Sequence, residues 1–262
     1  MQRDYISGIF NYCDYWCDRC AFTRHCRNYA MGEELQKRGN AGRRTDEGNR
    51  AAWDSLDGVL ARARGQLDEL AARRFDDVFD LEEPTAEELR AFGEAEEALD
   101  RKVQRHFVMK AAEAYRVAVS EWLEAVKPDV AEAAALLVEQ ARFANGADGR
   151  ETREQLDGLE ELIDIVSWYH TLLMPKAGRM IHGLLELAEQ ADWDDGSDVY
   201  GTGKLLLVSI DRSIAAWVAL RDALPKQEDP ILGFLIRLDH LRRAIERDVP
   251  QARAYRRPGL DD

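Results

Sequence analysis

The chain has 262 residues, 45% hydrophobic and 33% charged, which suits one large folded domain or two small ones and excludes a disordered chain. Its 50 acids outnumber its 36 Lys and Arg, and the net charge of -14 argues against broad nucleic-acid binding. No stretch of about 18 apolar residues offers a membrane span, and the opening MQRDYISGIFNYCDYW lacks the apolar core of a secretory signal. A cytoplasmic address is therefore expected, and with it reduced thiols.

Residues 1–32 are read as a cysteine-rich segment. All four cysteines, Cys13, Cys17, Cys20 and Cys26, fall there in the pattern C-x3-C-x2-C-x5-C. A reducing compartment disfavours disulfides, and inert buried thiols would not gather at ligand spacings, so metal ligation is the expectation. Cys13, Cys17 and Cys20 stand at i, i+4 and i+7, one face if the segment is helical. At ~1.5 Å rise per residue the outer two would lie about 10 Å apart, too far for the common point that one zinc requires. A [4Fe–4S] cluster accepts such spread ligands, whereas a folded loop makes zinc equally feasible. Phe10, Tyr12, Tyr15, Trp16 and Phe22 are expected to dock the segment on the rest of the chain. Arg19, Arg24, His25 and Arg27 put positive charge beside the sulfurs, and the adjacency of His25 to Cys26 makes it a poor ligand.

The first three cysteines share the C-x3-C-x2-C spacing of radical S-adenosylmethionine enzymes. Those are α/β barrels, and strand signals here are nearly absent. The last three share C-x2-C-x5-C with helix-hairpin-helix DNA glycosylases, but the glycine hairpin is missing. Neither activity is carried over. The whole stretch YISGIFNYCDYWCDRCAFTRHC, with SWYHTLLMPK and SIDRSIAAW further on, resembles a group of uncharacterised bacterial proteins with this cysteine block and a helical remainder. The resemblance implies no activity, only that the three stretches belong to one arrangement.

Beyond the cysteines, Ala, Leu, Glu and Arg dominate, and the reading is all-α, a bundle of five or six long helices over 33–250 with a flexible tail at 251–262. A first helix is expected over 45–73, with Trp53, Leu56, Leu60, Leu67 and Leu70 on its stripe. Thr85 and Glu88 form a capping box for a helix running to Val126, with Leu89, Phe92, Leu99, Val103, Phe107, Ala114 and Trp122 inward. Pro128 breaks it, and a shorter helix stops at Asn145-Gly146. A long helix over 152–190 is interrupted at Pro175. The acidic connector DWDDGSDVYGTG leads into a helix from Lys204 to Leu224, whose segment LLLVSIDRSIAAWVAL is apolar nearly all round and so belongs at the centre. Asp229-Pro230 opens the last helix, which ends near Pro250. Its arginines, Arg237, Arg242, Arg243, Arg247, Arg253, Arg256 and Arg257, interleave with Asp239, Glu246 and Asp248 as a salt-bridged surface.

A polar pocket lined by His170, Asp211 and Arg212 is the expectation for a second site, with a register-fixing polar network as the plainer alternative. His170 shares a helix face with Ile163, Val166 and Leu173, while Asp211 and Arg212 interrupt the apolar helix. Asp164 and His182 flank Pro175, where a kink can open a cavity. None of the five histidines has an acid three residues before it, so a di-iron carboxylate bundle fails. Arg101 to His106 and Arg19 to His25 match the Arg-x4–6-His of HEPN ribonucleases, a spacing that chance supplies in an arginine-rich chain. Asp192, Asp194, Asp195 and Asp198 miss the calcium-loop positions, and no Walker loop, dinucleotide fingerprint or nucleophile elbow is present. Three functions are compatible with these residues. The first is an iron–sulfur protein with a redox or redox-sensing role and a protein redox partner. The second is a zinc-stabilised interaction module, and the third an enzyme with its pocket near the metal.

Overall fold

The computed structural model describes residues 4–40, 84–143, 147–189 and 196–261, with a few positions between 58 and 65. Among them there is no strand. Seven helices follow in chain order: α1 (Arg27–Asn40), α2 (Ala86–Arg105), α3 (Phe107–Ala125), α4 (Lys127–Phe143), α5 (Ala147–Glu189), α6 (Ser197–Ala223) and α7 (Glu228–Asp248). The fold is all-α, and no described helix is long and apolar enough to cross a membrane. The expected helix at 45–73 and the stop at Asn145-Gly146 lie largely outside the described residues. The chain forms two compact units, one of residues 1–6 and 17–94, the other of 7–16 and 95–262.

The second unit holds the bundle core. α5 and α6 make the most extensive pairing, α3 and α4 also pack on α5, and α7 packs on α6 and α3. α6 is central, as its apolar sequence requires: Leu205, Leu206, Leu207, Ile210, Trp217 and Leu220 are all buried. Its buried Ser209 and Ser213 hydroxyls donate to the carbonyls of Leu205 and Ser209, one turn back, at 2.9 and 2.8 Å. Trp217 is fully buried between Trp122 (edge-on, 4.8 Å between ring centres) and Phe234 (4.6 Å). Its indole N–H donates to the Tyr115 hydroxyl at 2.8 Å, and that of Trp122 donates to Gln227 Oε1 at 2.8 Å. Each deep ring thus fills volume without leaving its polar atom unanswered.

Several boundaries differ from expectation. The capping box forms as read, with the Glu88 N–H donating to Thr85 Oγ1 and the Thr85 N–H to Glu88 Oε2. The helix it opens, however, does not reach Val126. His106 is extended (φ -63, ψ 143), and its Nδ1 accepts the Val108 N–H, so it caps a new helix. The break shifts the inward face. Leu89, Phe92 and Phe107 are more than half exposed, whereas Val108, Ala112, Tyr115, Val119 and Trp122 are buried.

α5, by contrast, continues through Pro175. Its neighbours Leu173, Ala177, Met180 and Ile181 are fully buried, and that packing outweighs the ~3 kcal/mol an internal proline costs. α7 begins at Glu228, one residue before the expected cap, after a short 3-10 turn at Pro225–Gln227. Residues 251–261, expected to be a flexible tail, carry the fully buried Ala252 and a two-bond pairing of Arg257 with Asp261.

Two of the three glycines of the supposed connector, Gly201 and Gly203, are helical. α6 starts at Ser197, behind Gly196 in the left-handed region (φ 72). Gly201 and Gly203 serve close packing: a Cβ on Gly201 would stand 2.6 Å from the Tyr12 ring, and one on Gly203 would stand 2.8 Å from the Ala252 Cβ. Gly201→Val is expected to lift Tyr12 off α6 and cost about 1–3 kcal/mol, read as a lower denaturant midpoint. An unchanged midpoint would mean that the Tyr12 contact contributes nothing.

Candidate metal centre and its anchoring cluster

Cys17, Cys20 and Cys26 belong to the first unit, Cys13 to the second. All four are half-buried, and none is in a disulfide. The segment is not an α-helix. Turns occupy residues 7–12, and two single 3-10 turns cover Cys17–Arg19 and Thr23–His25. The shared helix face expected for Cys13, Cys17 and Cys20 is therefore absent. Short polar turns and the positive φ of Gly8 (74°) and Tyr15 (58°) keep the chain from winding.

Within the first unit, main-chain N–H groups point at sulfur. Phe22 N–H donates to Cys20 Sγ and Tyr29 N–H to Cys26 Sγ, both at 3.4 Å. Cys26 directly precedes α1, is extended (φ -100, ψ 115), and accepts the Ala30 N–H on its carbonyl. It is the N-cap of α1, with its sulfur at the positive end of the helix dipole. His25 turns its Nδ1 to the Asp4 carbonyl at 2.9 Å. No three His, Cys, Asp or Glu side chains among the described residues converge where a single ion could be held.

In the second unit, residues 7–16 are fastened to the bundle around one carboxylate. Asp14 Oδ2 accepts from the Tyr169 hydroxyl at 2.7 Å and from Arg212 Nη1 at 2.8 Å, while Oδ1 accepts the Trp16 N–H at 3.2 Å. The Asp14 carbonyl accepts the Trp168 indole N–H at 3.0 Å, and Trp16 stacks on Trp168 at 5.2 Å. Burial, reinforced by Asp14, pushes the Tyr169 phenol up to about 12, so it stays a donor at neutral pH. Tyr12, pushed up to about 12 by burial and its bond to Tyr255, is wedged between Tyr255 and Gly201. Lys176 lies over the Tyr15 ring, 4.6 Å from its centre, and Arg179 over Tyr12 at 6.0 Å. Asp14, Tyr169 and Arg212, from three separate parts of the chain, thus meet at one point.

The three residues expected to share a pocket take separate partners. Arg212 serves Asp14 and Tyr169, whereas Asp211 pairs with Arg253, which also holds Glu246. Neither ion of α6 is deeply buried, because both sit on its outer stripe. His170 is buried, with Nδ1 3.2 Å from the Val166 carbonyl. Burial, aided by Arg116, holds its imidazole below the usual range even though the backbone contacts oppose the shift. A folded value below the unfolded one gives stability that is full above about pH 6.5 and is lost as pH falls below it. We therefore expect His170→Phe to flatten the fall in unfolding free energy between pH 7.5 and 5.5. An equal slope in both proteins would show that His170 does not contribute.

A cleft of about 440 Å³ does open beside Pro175, but with other residues. Pro175, Arg179, His182 and Glu186 line it from one face of α5, facing Asp100 and Asp198. Its charges are largely answered internally, Arg179 by Asp198 and His182 Nδ1 by Glu186 at 3.1 Å. Asp198, once weighed as part of a calcium loop, is thus an ion-pair partner in the first turn of α6. Asp192, Asp194 and Asp195 lie outside the described residues.

Comparison of the chain with protein-family models, with curated proteins and with solved structures finds no match. Asp14, Trp168, Tyr169 and Lys176 escaped the sequence reading. Asp14 passes for a solvated acid among cysteines, and only the pairing of distant stretches gives it partners.

Proposed function

We propose that Cys13, Cys17, Cys20 and Cys26 hold a [4Fe–4S] cluster, and that the helical bundle carries it in a redox or redox-sensing role with a protein partner. The observation that carries this reading is the gathering of every cysteine within fourteen residues, with main-chain N–H groups donating to Cys20 and Cys26. Such bonds stabilise sulfur carrying negative charge and tune the potential of a bound cluster. The helical spacing that favoured a cluster has lost its basis. What still favours a cluster over zinc is the sequence, which lacks the two separated C-x2-C knuckles of a zinc ribbon.

Zinc is the second reading, favoured by the turn-rich backbone of the segment, since a loop can close tetrahedrally around one ion. Anaerobic purification followed by metal and sulfide analysis separates the two. A brown protein with broad absorbance near ~400 nm and equal iron and sulfide supports the cluster. A colourless protein with one zinc per chain replaces it with zinc, and a chain without metal overturns both.

A further inference from the structure

The cleft beside Pro175 lies wholly within the second unit, where three helices converge on it. Asp100 and Gln104 of α2, Arg179, His182 and Glu186 of α5 and Asp198 of α6 supply its polar lining. Its volume of about 440 Å³ is that of a small-molecule site. The space follows from the sequence of α5, since Pro175, Gly178 and Gly183 put no long side chain into this wall.

Some of these groups are already engaged. Arg179 is held by Asp198, which also acts electrostatically on Lys176. In the neutral His182 ring, Nδ1 donates to Glu186 at 3.1 Å, which leaves Nε2 an acceptor. Asp100 and Gln104 differ. Among the described residues no ion pair or hydrogen bond engages either side chain, and they stand one turn apart on α2. The cleft therefore offers a whole carboxylate, an imidazole nitrogen and an amide oxygen, all acceptors. Its one guanidinium is taken, so an anion meets no free cation there. A cation is also drawn by the chain as a whole, whose net charge is -14, and clefts focus such fields.

We infer that this cleft binds a small organic cation bearing a primary ammonium. Asp100 takes its charge, and His182 Nε2 and Gln104 Oε1 accept its remaining N–H groups. An alkyl ammonium has three donors, which matches these three acceptors. Bonds with both partners ionised are the strong ones, so most of the affinity falls on Asp100. The inference is independent of the metal reading above.

Isothermal titration of the full chain with 1,4-diaminobutane tests it, with succinate as an anion of similar length. The diamine is expected to bind at one saturable site and succinate not to bind. Asp100→Asn, which keeps the size and removes the charge, should weaken the diamine about tenfold. Asp100→Glu keeps the charge and should stay within about threefold of wild type. Glu121→Gln, exposed on α3 and outside the cleft, removes the same charge from the chain and should change affinity less than about twofold. No saturable binding of the diamine up to ~10 mM overturns the inference. So does equal affinity in wild type and Asp100→Asn, an equal loss in Glu121→Gln, or tighter binding of succinate. Circular dichroism checks the fold of each variant. If Asp100→Asn does not fold, Gln104→Leu takes its place, expected about threefold or more weaker, and an unchanged affinity there overturns the site.

Discussion

Serine at Cys13, Cys17, Cys20 or Cys26 is expected to lower bound metal at least about tenfold, and serine at all four to abolish it. The bundle should survive every one of these changes, since none of the four sulfurs belongs to its core. Metal analysis, the absorbance near ~400 nm and far-ultraviolet circular dichroism, taken on the same anaerobic preparation, read both effects. Cys26→Ser is the most informative single change. Serine is itself a favoured N-cap, so α1 keeps its cap while the sulfur is lost. Loss of metal without loss of helix assigns Cys26 as a ligand; retained metal in the quadruple variant would falsify the assignment of all four.

Trp217→Ala should be the most destabilising single substitution in the core, costing about 3–5 kcal/mol. The indole is fully buried among Trp122, Phe234 and Tyr115, so its removal leaves a cavity that three rings border. It also strips the Tyr115 hydroxyl of a donor, a further cost because that group lies deep in the core. Trp217→Phe separates the terms: most of the volume stays, the N–H goes, and roughly 1–2 kcal/mol is expected. Denaturant titration followed by circular dichroism measures both. A loss below about 1 kcal/mol for the alanine variant would mean that α6 is not the centre of the cooperative unit.

The central position of α6 was legible because LLLVSIDRSIAAWVAL offers no polar face, and a helix of that kind is stable only when surrounded. The capping box at Thr85 and Glu88 was equally legible, being local chemistry within four residues. Gly201 and Gly203 were misread for a reason that no local rule repairs. Glycine signals a turn when the chain needs freedom and close packing when another element needs room; here the Tyr12 ring and Ala252 occupy that room. His106 is a similar case, since the stripe around it continues in period while the backbone breaks.

At the candidate site, the cysteine pattern was fully visible, and the gathering of the four thiols remains the whole basis of the metal reading. The arrangement around Asp14 was not visible. A carboxylate, a phenol and a guanidinium more than forty residues apart carry no common period, and each alone reads as ordinary surface chemistry. The amino-acid sequence by itself determined an all-α chain, its most buried helix and the cluster of thiols, because periodicity and composition act along the chain. Only the tertiary structure decided that Arg212 belongs with Asp14 rather than Asp211, and that Lys176 stands over Tyr15. Burial and charge pairing act across space, between residues whose separation in the chain says nothing about their distance in the fold.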